Sequence, residues 1–127
     1  MNEHSLTDQG RKIMDQLEQG LADRVTHNLS QLDKGLSELI TDYAFGKVLA
    51  RPGLDLKTRE MLTVASLISL GTAMPQLELH MRAALNVGVT KDELIEIVIQ
   101  MAIYVGVPAC MNAITVYKQV ILQWESQ

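Results

Sequence analysis

Between Ile97 and Tyr117 the chain runs for 21 residues without a charged side chain. An unbroken helix of that length would be long enough to cross the hydrocarbon core of a bilayer, for which about 20 apolar residues suffice. Gly106-Val107-Pro108 argues against it, because glycine favours a helix end and proline a helix start. Gln100, Asn112 and Thr115 add polar groups inside the same run. The stretch therefore reads as two consecutive apolar helices rather than one membrane span.

Composition agrees with a folded, water-surrounded chain. The 127 residues imply one domain. An apolar content of 47 % against 20 % charged residues is too rich for a disordered segment. Cys110 is the single cysteine, which excludes an intrachain disulfide framework, a C-x-x-C redox pair, a Cys-rich zinc site and an iron–sulfur cluster. Three histidines (His4, His27 and His80) make a multi-histidine metal site unexpected. With 11 basic and 15 acidic residues the formal charge is −4, and few aromatics are present, so nucleic-acid binding has little support. Residues 1–12, MNEHSLTDQGRK, lack the apolar stretch of a secretory signal. The cytoplasm is the expected compartment, and a free thiol is at home there.

Apolar spacing of three and four residues recurs along the chain, and strand alternation does not. The pattern predicts an all-α fold. A first helix is expected from Asp8 to about Leu21, with Ile13, Met14, Leu17 and Leu21 on its inner face. A second is expected from Ser30 to Tyr43, with Leu32, Leu36, Leu39 and Ile40 as its stripe. A short piece, Ala44 to Ala50, leads to a Pro52-Gly53 turn. Asp55 reads as the cap of a helix over Leu56–Leu70 that is closed by Gly71. Pro75 opens a helix running to Val87, before Gly88. Thr90 and Glu93 form a capping box for a helix continuing to Val105, and Pro108 starts a last helix ending near Trp124. The helices beginning at Leu56 and Thr90 are apolar almost all round, and a helix without a polar face has to be covered on every side. A chain this small is poorly placed to do that twice, so homo-oligomerisation is expected.

The polar residues within this apolar half are the candidates for chemistry. His80 shares a helix side with Leu77, Ala83, Ala84 and Val87. It is either a core histidine satisfied by one hydrogen bond or a general acid–base group near neutral pH. Glu60 opens a buried helix, either favouring the positive end of the helix dipole or orienting His80. Arg51 and Arg59 flank the Pro-Gly turn and could anchor an anionic substrate. Tyr104, Asn112 and Cys110 lie around the Gly106–Pro108 break, where backbone can approach a ligand. Cys110 reads as packing, with no basic neighbour in sequence to activate it. Glu78 and Arg82 are four apart, on the side away from His80, and read as a surface ion pair.

Several of these residues belong to longer motifs. The run Tyr43-Ala44-Phe45-Gly46-Lys47-Val48-Leu49-Ala50-Arg51-Pro52-Gly53-Leu54-Asp55 resembles the segment opening the core of γ-carboxymuconolactone decarboxylases. Leu79-His80-Met81-Arg82-Ala83-Ala84, Gly88-Val89-Thr90, Glu93 and Ala102-Ile103-Tyr104-Val105-Gly106-Val107-Pro108-Ala109 follow in that family's order. The likeness covers about residues 36–121, leaving residues 8–30 as an N-terminal helical extension of one domain over 1–127. It implies an all-α fold shared with the alkylhydroperoxidase D proteins and assembly as a homo-oligomer, a hexamer or trimer. The peroxidase branch carries Cys-x-x-Cys followed four residues later by His; here those thiol positions are Ala73 and Gln76, so a disulfide relay is not expected. Glu60 departs the other way, since decarboxylases of this kind often have Arg-Ser where this chain has Arg59-Glu60.

The implied reaction converts 4-carboxymuconolactone, or a related carboxylated lactone, to the enol-lactone with loss of CO2. Electrons left by CO2 can flow through the ring double bond to the lactone carbonyl, so no metal, pyridoxal phosphate or flavin is needed. On this reading His80 transfers the proton and Glu60 orients it. Arg51, Arg59, Tyr104 and Asn112 contact an anionic small-molecule substrate, with no nucleic-acid or membrane partner. The competing expectations are a peroxidase-type redox protein and a non-catalytic oligomeric binding protein.

Overall fold

The computed structural model describes residues 5–127. His4, counted among the three histidines, lies outside them. Among the described residues there are seven α-helices, one π-helical segment and no strand, as the all-α expectation requires. They form two compact units, one ending at Leu56 and one beginning at Lys57.

The first unit differs most from the sequence expectation. Helix α1 covers Leu6–Leu17, with Ser5 accepting a hydrogen bond from the Asp8 amide at its start. Rather than continuing to Leu21, the chain turns extended at Glu18 and left-handed at Gly20 (φ +84°), then restarts as α2, Leu21–Ser30. Glycine takes that conformation without a Cβ penalty, and Asp15 Oδ1 accepts from the Ala22 amide to cap the new helix. Met14, Leu17 and Leu21 are buried as expected, but on two helices.

The expected Ser30–Tyr43 helix is replaced by a short α3, Lys34–Glu38, capped by Asp33, and a π-helical segment over Leu39–Leu49. The segment absorbs the separate piece expected over Ala44–Ala50. Its closing bond runs from the Ala50 amide to the Phe45 carbonyl, five residues back. Adding a residue per bonded ring changes which side chains face inward. Leu32, Leu36, Leu39 and Ile40, the expected stripe, are exposed, while Ser37, Thr41, Phe45 and Gly46 are buried.

The small residues are required because α1 crosses the π-helical segment backbone to backbone. A Cβ on Gly10 would run into the Thr41 carbonyl oxygen and lie 3.1 Å from the Gly46 amide nitrogen. A Cβ on Gly46 would run into the Leu6 carbonyl. A hydrogen bond of 2.7 Å from Thr7 Oγ1 to Asp42 Oδ1 ties the same pair.

The second unit follows the sequence closely. Helices α4 (Leu56–Leu70), α5 (Met74–Asn86), α6 (Lys91–Val105) and α7 (Val107–Glu125) each start and end within a residue or two of expectation. Their core contains Val64, Ile68, Leu77, Met81, Ala84, Leu94, Val98, Ala113 and Val120. Gly106 takes φ +91° and Pro108 falls in the first turn of α7, so the charge-free run is divided where proposed. No helix among the described residues is long and apolar enough to cross a membrane. Thr90 and Glu93 close the capping box, at 3.0 Å (Glu93 amide to Thr90 Oγ1) and 2.9 Å (Thr90 amide to Glu93 Oε1).

The helices that are apolar all round leave part of that surface in water. On α4, Leu62 and Leu70 are more than half exposed. On α6, Ile95, Ile99 and Ile103 form an exposed row at four-residue spacing.

Two outcomes follow from this packing. Gly10→Ala should destabilise the chain by about 1–3 kcal/mol, the usual cost of overpacking, because backbone rather than a flexible side chain stands in the way. Chemical denaturation followed by circular dichroism reads it, and an unchanged midpoint would contradict so close a crossing. The second outcome concerns Glu93, whose carboxyl is held below its ordinary value of 4.5 by the Thr90 amide first and the Lys57 ammonium next. A depressed folded-state value stabilises above the unfolded one and is lost as pH falls through the folded one. The stability difference between wild type and Glu93→Gln should therefore be full above about pH 4.5 and shrink on further acidification.

Candidate active site

Glu60 is the fifth residue of α4 and lies on the same helix face as Val64 and Ile68, four and eight residues on. Those two are core residues, so the helical period carries a carboxylate into the interior. It is fully buried (0 % exposed). On α5, His80 lies beside the buried Leu77, Met81 and Ala84 on the face turned to the same core. The two side chains meet, with His80 Nδ1 2.7 Å from Glu60 Oε1. The imidazole keeps 13 % of its side-chain surface exposed.

The pair is asymmetric. Glu60 spends one oxygen on His80; the other, Oε2, is buried and has no hydrogen-bond partner among the described residues. Burying an ionised carboxylate is costly unless it is paired and fully hydrogen-bonded. The hydrogen bond to Nδ1 offsets part of that cost. It also requires the Nδ1 proton to point at Oε1, which leaves Nε2 for exchange with a bound molecule or water. The group sealed from solvent thus holds and orients the group that reaches it.

The remaining candidates are placed differently. Arg59 is half-buried next to Glu60 on α4, and its carbonyl accepts from Thr63 Oγ1 at 2.9 Å. Arg51 is exposed in the first unit. Tyr104, near the end of α6, is 72 % exposed. Asn112 is exposed on α7, on the wall of a 380 Å³ hollow that it shares with Met74, Thr115, Val116 and Gln119. Cys110 is half-buried, its Sγ 3.7 Å from the Val98 carbonyl oxygen, as packing requires. Glu78 and Arg82 form the expected ion pair at 3.0 Å. Gln123 of α7 joins it, accepting from Arg82 and donating to Glu78, a bridge between helices that no sequence spacing announces.

Sequence reasoning also missed a second hollow of 310 Å³ between α4 and α6. Met61, Leu62, Ala65, Ile97 and Met101 line it, with Gln100, Glu93 and Glu96 as its polar members. Its walls come from two helices whose apolar excess was legible, but the gap between them depends on how those helices diverge. No group of three or more His, Cys, Asp and Glu side chains among the described residues is arranged to hold a metal ion.

Comparison with known proteins now bears on this arrangement. The model of the carboxymuconolactone decarboxylase family matches residues 34–119. The chain is similar to a 4-carboxymuconolactone decarboxylase of Acinetobacter baylyi, 35 % identical over 121 residues that cover 94 % of this chain and 90 % of that one. It is also similar to a nitrosuccinic acid decarboxylase of Metarhizium robertsii, 38 % identical over 117 residues, 91 % of this chain and 81 % of that one. With a match across most of its length, and with the motif residues in order, this chain belongs to the carboxymuconolactone decarboxylase family.

Proposed function

We propose that this protein is a carboxy-lyase that removes CO2 from a small carboxylated acid carrying its own electron acceptor, with 4-carboxymuconolactone or a related carboxylated lactone as substrate. The observation that carries the reading is the 2.7 Å contact between a sealed carboxylate and a partly exposed imidazole. Both relatives are named as decarboxylases. A lactone conjugated to a ring double bond and a nitro-substituted acid share one property: either can take up the electron pair that CO2 leaves behind.

In the lactone the carbon–carboxylate bond breaks, and its electron pair moves through the ring double bond onto the lactone carbonyl. Decarboxylation of this kind consumes one proton, which has to return to ring carbon. His80 delivers it from Nε2 as an imidazolium, and the resulting neutral ring is reprotonated from solvent at its exposed edge. Glu60 acts through His80, holding the Nδ1 proton and orienting the ring so that Nε2 meets the substrate. Arg59 is the cation proposed to hold a substrate carboxylate, and Tyr104 and Asn112 add polar contacts. The thiol positions of the peroxidase branch are Ala73 and Gln76, so the redox alternative has no relay to run on.

Self-association belongs to the same proposal. Its support is the row Ile95, Ile99 and Ile103 with Val107 and Met111 at the start of α7, all between 40 % and 74 % exposed. Exposed apolar patches of this kind mark interaction surfaces. Four of the five lie in the charge-free run Ile97–Tyr117, so they bring no side-chain charge of their own to a contact between two copies.

Two measurements test these statements. CO2 release from 4-carboxymuconolactone, nitrosuccinate and other carboxylated lactones should show turnover that falls by about 10²–10⁴ in His80→Asn, the usual contribution of a positioned acid–base group. Glu60→Gln should lower kcat more than it raises KM; full activity in His80→Asn would refute the assignment. Light scattering on a sizing column should find the wild type larger than one chain and Ile99→Glu/Ile103→Glu shifted to the monomer. A monomeric wild type would refute the interface.

A further inference from the structure

We propose that the first unit carries a binding site for a small zwitterion of the α-amino-acid class, in the cavity bounded by α1, α2, α3 and the π-helical segment. The cavity has a volume of 160 Å³, and every residue lining it is polar. That is room for about five waters at ~30 Å³ each, or for one molecule of about the size of serine.

Three observations favour a ligand over water alone. The first is charge. Arg11 and Lys34 face the cavity together with Glu38 and Asp42, two cations against two carboxylates. A dianionic acid would meet both carboxylates, whereas a zwitterion can place its carboxylate on the guanidinium and its ammonium on Asp42.

The second is that the two inner charges are already fixed from outside. Arg11 Nη1 donates to Thr26 Oγ1 at 2.8 Å and to the Ala22 carbonyl at 3.4 Å, and Nη2 donates to Asp23. A guanidinium has five N–H donors, so two remain. Asp42 is held through Oδ1 by Thr7 at 2.7 Å, which leaves Oδ2. The glycine crossing of α1 with the π-helical segment holds the backbones that carry both groups. Side chains positioned in this way lose little entropy when a ligand binds.

The third is a pair of buried hydroxyls on the cavity wall. Ser37 is 7 % exposed and has no side-chain partner among the described residues, and Thr41 is 2 % exposed and reaches only Met14 Sδ at 4.0 Å. Sulfur is a weak acceptor, so both hydroxyls are available to a ligand in the cavity.

The full-length chain should be titrated with glycine and L-serine, with glycerol as the uncharged comparison and succinate as the anionic one. Calorimetry and amide chemical shifts provide the readouts. Saturable binding of glycine or L-serine is expected, with shift changes centred on Thr7, Ser37, Thr41 and Asp42. Ser37→Val should weaken that binding at least ten-fold while keeping the helical circular dichroism spectrum. Tighter binding of succinate or glycerol, shift changes elsewhere, no saturation with any probe, or unchanged affinity in a folded Ser37→Val would each overturn the proposal. Should that variant not fold, the wild-type shift map decides between the same outcomes. CO2 release plays no part in the readout, so this site and the decarboxylase reading stand or fall separately.

Discussion

A carboxyl group cut off from water, with one oxygen on an imidazole and the other without a partner among the described residues, is the feature around which the second unit is arranged. Placing a carboxyl group among Val64, Ile68 and Leu77 works against folding, because burying polar atoms is costly and a single hydrogen bond returns only part of that cost. The helices on either side supply the remainder through apolar contact. Val64 and Ile68 continue the Glu60 face of α4, and Met81 and Ala84 flank His80 on α5, so the packing that shuts water away from Glu60 also stabilises the unit. His80 is left as the member of the pair that solvent and small molecules can reach.

The first unit solves a different problem. It has few large buried side chains, and it brings two helices together by removing side chains at the crossing. Gly10 and Gly46 allow backbone contact that no other residue would permit, and the price of that approach is a register in which Ser37 and Thr41 turn inward. Polar side chains then line the space that larger apolar groups fill in the second unit.

Legibility in the sequence tracks how local each determinant is. Thr90 and Glu93, Gly106 and Pro108, and Gly71 after α4 act over three or four residues, and the helices they bound appear where the spacing places them. The π-helical segment has no comparable signal. Leu32, Leu36, Leu39 and Ile40 keep a helical period, yet they are exposed: Leu32 falls in the turn before α3, and from Leu39 onward the wider π-helical turn places Thr41 and Phe45 inward instead. Similarly, Gly20 carried no weight in an otherwise continuous apolar pattern, although its left-handed backbone divides the first helix from the second.

Among the candidate site residues, a carboxylate opening a buried helix was enough to suspect Glu60 and the apolar side of α5 enough to suspect His80. By itself the sequence determined the helical class, the family motifs, the absence of an intrachain thiol pair and the division of the charge-free run. These depend on residue identity and on bonds within a turn or two of the chain. Tertiary structure alone decided that Glu60 faces His80 rather than only the end of its own helix, that Tyr104 points to solvent, and that Gln123 bridges Glu78 and Arg82. Those outcomes follow from how separate helices approach one another, which is set by side-chain volume and close packing summed over many residues rather than by any short pattern.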